Sequence, residues 1–206
     1  MNERRKIPLG VLASGHGTDL QSIIDAAASG RLDAAVRIVV SDVPDAPALA
    51  RARRHGIEAV AIERGAFASK QAFEAQLALE LTRRGVELVC LAGFMRIVGP
   101  TLLAAFPQRI LNIHPALLPA FPGLHAPQQA FDYGAKVAGC TVHFVDDKTD
   151  HGPIIVQVAV EVREDDTAET LAARILEEEH RLYPAAIQLY AEGRLRVEGR
   201  RVHIAS

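Results

Sequence analysis

Leu9-Gly-Val-Leu-Ala13, then Ser14-Gly-His-Gly-Thr-Asp-Leu20, then a helical pattern running to about Ala28, is the stretch that decides the fold. A short run that is apolar or small at every position reads as a strand buried on both faces. The glycine turn behind it opens a helix. The unit recurs down the first half of the chain. Val36 to Val40 precedes a helix over Pro47 to His55, and Glu58 to Ile62 precedes one over Lys70 to Arg84. Val86 to Ala92 is a fourth apolar run. This alternation predicts an α/β protein with a parallel sheet covered by helices on both faces. In open sheets of that kind ligands sit beyond the carboxyl ends of the strands.

The second half follows another rule. Gly139 to Val145 and Pro153 to Ala159 are strands joined by the short Asp146–Gly152 loop, which predicts an antiparallel pair and therefore a mixed sheet. Asp166, with Glu169 three residues on, reads as the cap of a long helix. Leu195 to Val197 and Val202 to Ile204, around Glu198-Gly199, read as a surface ribbon. No repeat, linker or low-complexity segment interrupts the 206 residues, and one domain is expected, with halves 1–100 and 101–206.

Composition narrows the function. With 49% apolar residues, 23% charged residues and a net charge of −2, the chain has the makings of a folded core. It lacks the basic stripe of a nucleic-acid binder, so no nucleic-acid partner is expected. The apolar run from Ile7 is too short to span a bilayer, so no membrane is expected either. Two cysteines, Cys90 and Cys140, without Cys-x-x-Cys spacing fit a reducing cytoplasm.

Three places could carry chemistry. Arg109 to Ile113 reads as a strand ending in Asn112-Ile-His-Pro115. Asn112 and His114 are two apart and so share a face of that strand. An amide and an imidazole there suit carbonyl addition: N–H donors for a developing oxyanion, one of them able to move a proton. Asp150, on the Asp150-His-Gly-Pro153 turn, offers a carboxylate that would favour the protonated ring. Each residue also has a plainer reading, as a hydrogen-bonded strand-end histidine or a turn aspartate. The loop with Gly15, Gly17, Thr18 and Asp19 suits either a single phosphate at a helix N-terminus or a tight turn. A dinucleotide is disfavoured, because Leu20 stands where a third glycine is needed. On a helical wheel with Leu171 at zero, Glu179 falls near ~80°, inside the apolar arc. A carboxylate there needs a ligand or a structural arginine. The four histidines His114, His125, His143 and His151 lack metal-ligand spacing, and no metal is expected.

Asn112-Ile-His-Pro-Ala-Leu-Leu-Pro119, Gly93-Phe-Met-Arg-Ile97 and Asp150-His-Gly-Pro153 together resemble the folate-dependent formyltransferases. Ser14 to Thr18, Pro122 to His125, Glu179-His180 and Tyr183-Pro184 match that family as well, almost end to end. The resemblance implies a three-layer α/β/α sandwich around a mixed, mostly parallel seven-stranded sheet, with a Rossmann-like N-terminal half. It implies movement of the formyl group of 10-formyltetrahydrofolate, a co-substrate, to the amine of glycinamide ribonucleotide, by a monomer or homodimer. Asn112, His114 and Asp150 would be catalytic. Gly15, Gly17, Thr18 and Asp19 would hold the phosphate, and Glu179 the ribose or glycinamide end. Lys70, Met95, Arg96, Ile97, Val98, Asn112 and Asp146 would hold the folate. The family usually has Asn, Ser and Arg where this chain has Asp19, Ala116 and Lys70. The competing expectations are a formyltetrahydrofolate hydrolase, which normally carries a further N-terminal domain, and a non-catalytic nucleotide-binding module.

Overall fold

The computed structural model describes residues 5–206. Its contacts divide the chain into two compact units, Met1–Leu111 and Asn112–Ser206.

The first unit is a run of β–α repeats. Strands β1 (Ile7–Leu12), β2 (Ala34–Ser41), β3 (Glu58–Ala61) and β4 (Leu88–Leu91) alternate with helices α1 (Thr18–Ala28), α2 (Pro47–Arg54) and α3 (Lys70–Arg83). A short helix, α4 (Pro100–Ala105), follows β4. β1 pairs in parallel with both β2 and β4, and β2 with β3, giving the order β3-β2-β1-β4. Leu9, Val11, Leu12, Ile38, Val39, Leu88 and Val89 have no exposed surface, as expected of strands covered on both faces. The carboxyl ends of β1 and β4 meet directly, Ser14 N donating to Gly93 O at 2.9 Å.

The division falls within β5 (Ile110–His114). The second unit continues with α5 (Ala126–Asp132), β6 (Val137–Phe144), β7 (Ile154–Glu161), α6 (Ala168–Ala191), β8 (Leu195–Glu198) and β9 (Arg201–Ile204). It supplies the order β5-β6-β7-β9-β8. β6 and β7 are antiparallel, so the sheet is mixed, though mostly parallel. Among the described residues it has nine strands rather than seven. The terminal ribbon lies at the surface as expected and also extends the sheet: β9 pairs in parallel with β7 through Ile154 and Arg201, and its antiparallel partner β8 forms the edge.

The cap of α6 also differs from expectation. Thr167 is the N-cap, accepting from Thr170 N, while the Thr170 hydroxyl accepts from Thr167 N in return. Asp166 lies one residue too early. Its carboxylate is ion-paired with Arg174, which hydrogen-bonds to it at 2.9 Å, and it accepts from Arg163 N at 2.7 Å. The Arg174 hydrogen bond holds the Asp166 carboxyl well below the usual carboxylate range. Along α6, Leu171, Ile175, Glu179 and Tyr183 are buried at helical spacing. Cys90 and Cys140 are buried and not joined in a disulfide.

Candidate active site

Asn112 and His114 end β5 and reach the same carboxylate. Asn112 Nδ2 lies 3.4 Å from Asp150 Oδ1, and His114 Nδ1 lies 3.4 Å from Asp150 Oδ2. His114 is buried, and its Nε2 faces the carbonyl oxygen of Phe121 at 2.9 Å. Both ring nitrogens therefore face oxygen atoms, one at hydrogen-bond distance and one at a longer distance. Asp150 is held from a third side by Gly123 N, which donates to Oδ2 at 2.8 Å.

Local structure explains why these groups stay in place. The turn after β5 is tied to β6 through Thr141, whose hydroxyl donates to Ala116 O at 2.6 Å and accepts from Leu118 N at 3.1 Å. Asp150 has a left-handed backbone, φ 48°, which Asp tolerates better than most side chains. Two residues on, the loop must pass close to β6. A Cβ on Gly152 would stand 1.8 Å from Phe144 O, so only glycine fits there.

A fourth residue belongs to the cluster although the sequence reading did not place it there. His143, buried on β6, has Nε2 3.1 Å from Asn112 Nδ2 and 3.8 Å from Asp150 Oδ1. Its Nδ1 faces Phe144 O at 2.8 Å. The available signal was a lone histidine inside an otherwise apolar strand. Asp146 is elsewhere. Its carboxylate meets Lys148 N at 3.0 Å and His151 Nδ1 at 2.7 Å, within its own loop. Burial would raise the Asp146 carboxyl, but the bonds from His151 and Lys148 outweigh it and hold the group below the usual range. Glu179 is buried on α6, on the face the wheel assigns.

In the first unit, the glycine loop runs into α1 with Gly17 at φ 71°, and no side chain caps the helix. A Cβ on Gly17 would meet Ala48 Cβ at 2.8 Å, so both conformation and space require glycine. Thr18 and Asp19 form the first turn, where N–H groups favour an anion. Burial pushes the Asp19 carboxyl up to about 6. A raised carboxyl binds its proton more tightly in the folded state. Its stabilising contribution is complete below the unfolded value and is lost as pH rises through about 6. Asp19→Asn is therefore expected to raise the melting temperature by a few degrees at pH 8, with the difference from wild type vanishing towards pH 4. A pH series of thermal melts checks it, and a difference independent of pH contradicts it.

Lys70, Met95, Arg96, Ile97 and Val98 line one cavity of about 380 Å³ in this unit. The sequence reading missed part of its wall: Arg64, Phe73, Glu74, Leu77, Phe94 and Leu102. Phe73, Glu74 and Leu77 fall at the helical spacing from Lys70 that the pattern of α3 offers. Glu74 is buried, 3.7 Å from Lys70 Nζ, and accepts from Leu102 N at the start of α4. The rim beside it rests on Asp42, at the carboxyl end of β2. Ser14 Oγ donates to Asp42 Oδ1 at 2.5 Å and accepts from Met95 N at 2.9 Å, and Arg96 Nε donates to Asp42 Oδ2 at 2.6 Å. Both oxygens of a buried carboxylate are thus occupied, and the 94–98 loop is bound to the start of the glycine loop. Asp42→Ala should cost about 2 kcal/mol, because two bonds to the carboxylate are lost and the Ser14–Met95 bond loses its anchor, while the partly exposed Arg96 regains water. Denaturant unfolding measures that loss. Faster amide exchange at Met95 would localise it, and unchanged exchange there contradicts the role.

Among the described residues, no group of three or more His, Cys, Asp or Glu is placed to hold a metal ion, and no helix is long and apolar enough to cross a membrane.

An amide, an imidazole and a carboxylate meet at the end of β5, a set of groups able to donate N–H bonds to a developing oxyanion and to move a proton. A family model described as formyl transferase matches residues 9–187, and the chain belongs to that family. It is 46% identical over 178 residues to phosphoribosylglycinamide formyltransferase of Bacillus subtilis (strain 168), covering 86% of this chain and 91% of the relative. The enzyme of the same name from Escherichia coli (strain K12) is 42% identical over 91% of this chain and 88% of its own. The crystal structure of glycinamide ribonucleotide transformylase 1 from Symbiobacterium toebii is similar with a TM-score of 0.97 and 56% identity, covering 100% of this chain and 96% of that one.

Proposed function

We propose that this chain acts as one formyltransferase domain that moves the formyl group of 10-formyltetrahydrofolate to the amine of glycinamide ribonucleotide. The products would be N-formylglycinamide ribonucleotide and tetrahydrofolate, in cytoplasmic de novo purine synthesis. The observation that carries this reading is the meeting of Asn112 and His114 on the Asp150 carboxylate, in a formyl transferase whose relatives carry that substrate in their names.

The amine attacks the formyl carbon directly and charge grows on the formyl oxygen. Asn112 and His114 supply N–H donors to it. Their 3.4 Å contacts to Asp150 are long, so exchanging them for a shorter bond to an oxyanion costs little. Asp150 then carries a proton from the attacking amine towards the leaving folate nitrogen. Gly15, Gly17, Thr18 and Asp19 bind the ribonucleotide phosphate at the start of α1, and Glu179 takes the ribose or glycinamide end. Lys70, Met95, Arg96, Ile97 and Val98 hold the folate, with Asn112 and Asp146 completing its contacts. Lys70 supplies charge for the folate tail without the fork an arginine would offer. A monomer or homodimer suffices, since every step uses small molecules.

The test is turnover of 10-formyltetrahydrofolate with and without glycinamide ribonucleotide. Turnover that requires the ribonucleotide supports the transferase. Equal turnover without it selects hydrolysis, and none at all leaves a binding protein.

A further inference from the structure

We propose that His143 is a positioning residue for this transfer: its unprotonated Nε2 holds the Asn112 carboxamide with the NH2 end turned inward, leaving the second N–H for the formyl oxygen. This rests on the reading of Asn112 as an oxyanion donor.

The ring's proton is located by its neighbours. Phe144 O, 2.8 Å from Nδ1, can only accept, so Nδ1 carries the hydrogen. A second proton is opposed first by burial, which depresses the ring below the usual histidine range. The Phe144 bond and the Asp150 charge push the other way without prevailing, and the charge of His114 adds to the depression. Nε2 is then a bare lone pair facing Asn112 at 3.1 Å.

Only one end of a carboxamide suits that lone pair. With the NH2 end inward, one N–H goes to His143 and the other rests on Asp150 Oδ1 at the long distance of 3.4 Å. A flipped amide would set its oxygen against both the lone pair and the Asp150 carboxylate, and would face the developing oxyanion with a like charge. The sheet provides the placement. His143 lies near the end of β6, where the β6–β7 register shifts and β7 carries an extra residue, Ile155.

The test is a double-substitution cycle with a non-kinetic readout. His143→Leu should lower kcat by about 10- to 100-fold, with KM for both substrates changed less than about threefold. In the Asn112→Ala background the same change should cost less than about threefold, because nothing is left to orient. His143→Gln, whose Oε1 can reach the place of Nε2, should recover most of the loss, whereas the shorter His143→Asn should not. If His143→Leu fails to fold, the Gln and Asn variants carry the comparison. Imidazole 15N NMR of the resting protein should show a protonated Nδ1 and an unprotonated Nε2 whose signal moves in Asn112→Ala. Equal losses from His143→Leu with and without Asn112, or a protonated Nε2, overturn the proposal. Absence of formyl transfer by the wild type would instead refute the function, while the nitrogen signals still decide whether His143 holds the amide.

Discussion

Asp150→Asn is expected to reduce turnover by about 10³-fold while both substrates still bind. The substitution keeps the size of the side chain but halves its accepting capacity. Asp150 Oδ2 meets the His114 ring and Gly123 N, and Oδ1 meets Asn112. An amide has one oxygen for these two sides. If that oxygen stays with His114 and Gly123, its NH2 end opposes the NH2 of Asn112, donor against donor. If it turns to Asn112, the His114 ring and Gly123 N lose the oxygen they face. In either case the group proposed to pass the proton is gone and the carboxylate beside His114 is removed. Steady-state rates beside substrate binding by calorimetry test this. A variant with wild-type rates would sink the role of Asp150.

Asn112→Ala should lower kcat by about 10²- to 10³-fold, the range typical of a lost oxyanion donor. A donor in the proposed role acts on charge that exists only in the transition state, so affinity for substrates should change little. Binding by calorimetry alongside single-turnover rates separates the two. A fully active Asn112→Ala protein would rule out the oxyanion role, and a matched loss of affinity would make Asn112 a binding residue instead. The change also leaves Nε2 of His143 without its hydrogen at 3.1 Å, so a modest loss of stability should accompany it.

Local periodicity made much of the architecture legible. Residues 9–92 alternate between strand and helix patterns because β1 and β4 are buried nearly throughout, whereas α1 and α2 bury one face. The two-residue spacing of Asn112 and His114 was enough to put both on one face, where they meet the same carboxylate. The wheel around Leu171 placed Glu179 on the buried face of α6 because helical geometry is fixed by the backbone alone. The cap of α6 slipped by one residue, since Asp166 had a stronger partner in Arg174 than in the helix N-terminus.

Sequence alone determined which residues were chemically able to act, and the order of the elements that carry them, because those follow from side-chain type and from periods of two and 3.6. Tertiary structure decided the rest. The terminal ribbon joined the sheet because β7 left an edge for β9 to pair with. His143 entered the cluster only because β6 lies beside β5 and brings its ring to 3.1 Å from Asn112, and Asp42 became the support of the 94–98 loop only because Arg96, 54 residues on, meets it there. Both depend on contacts between distant parts of the chain, which no local pattern encodes.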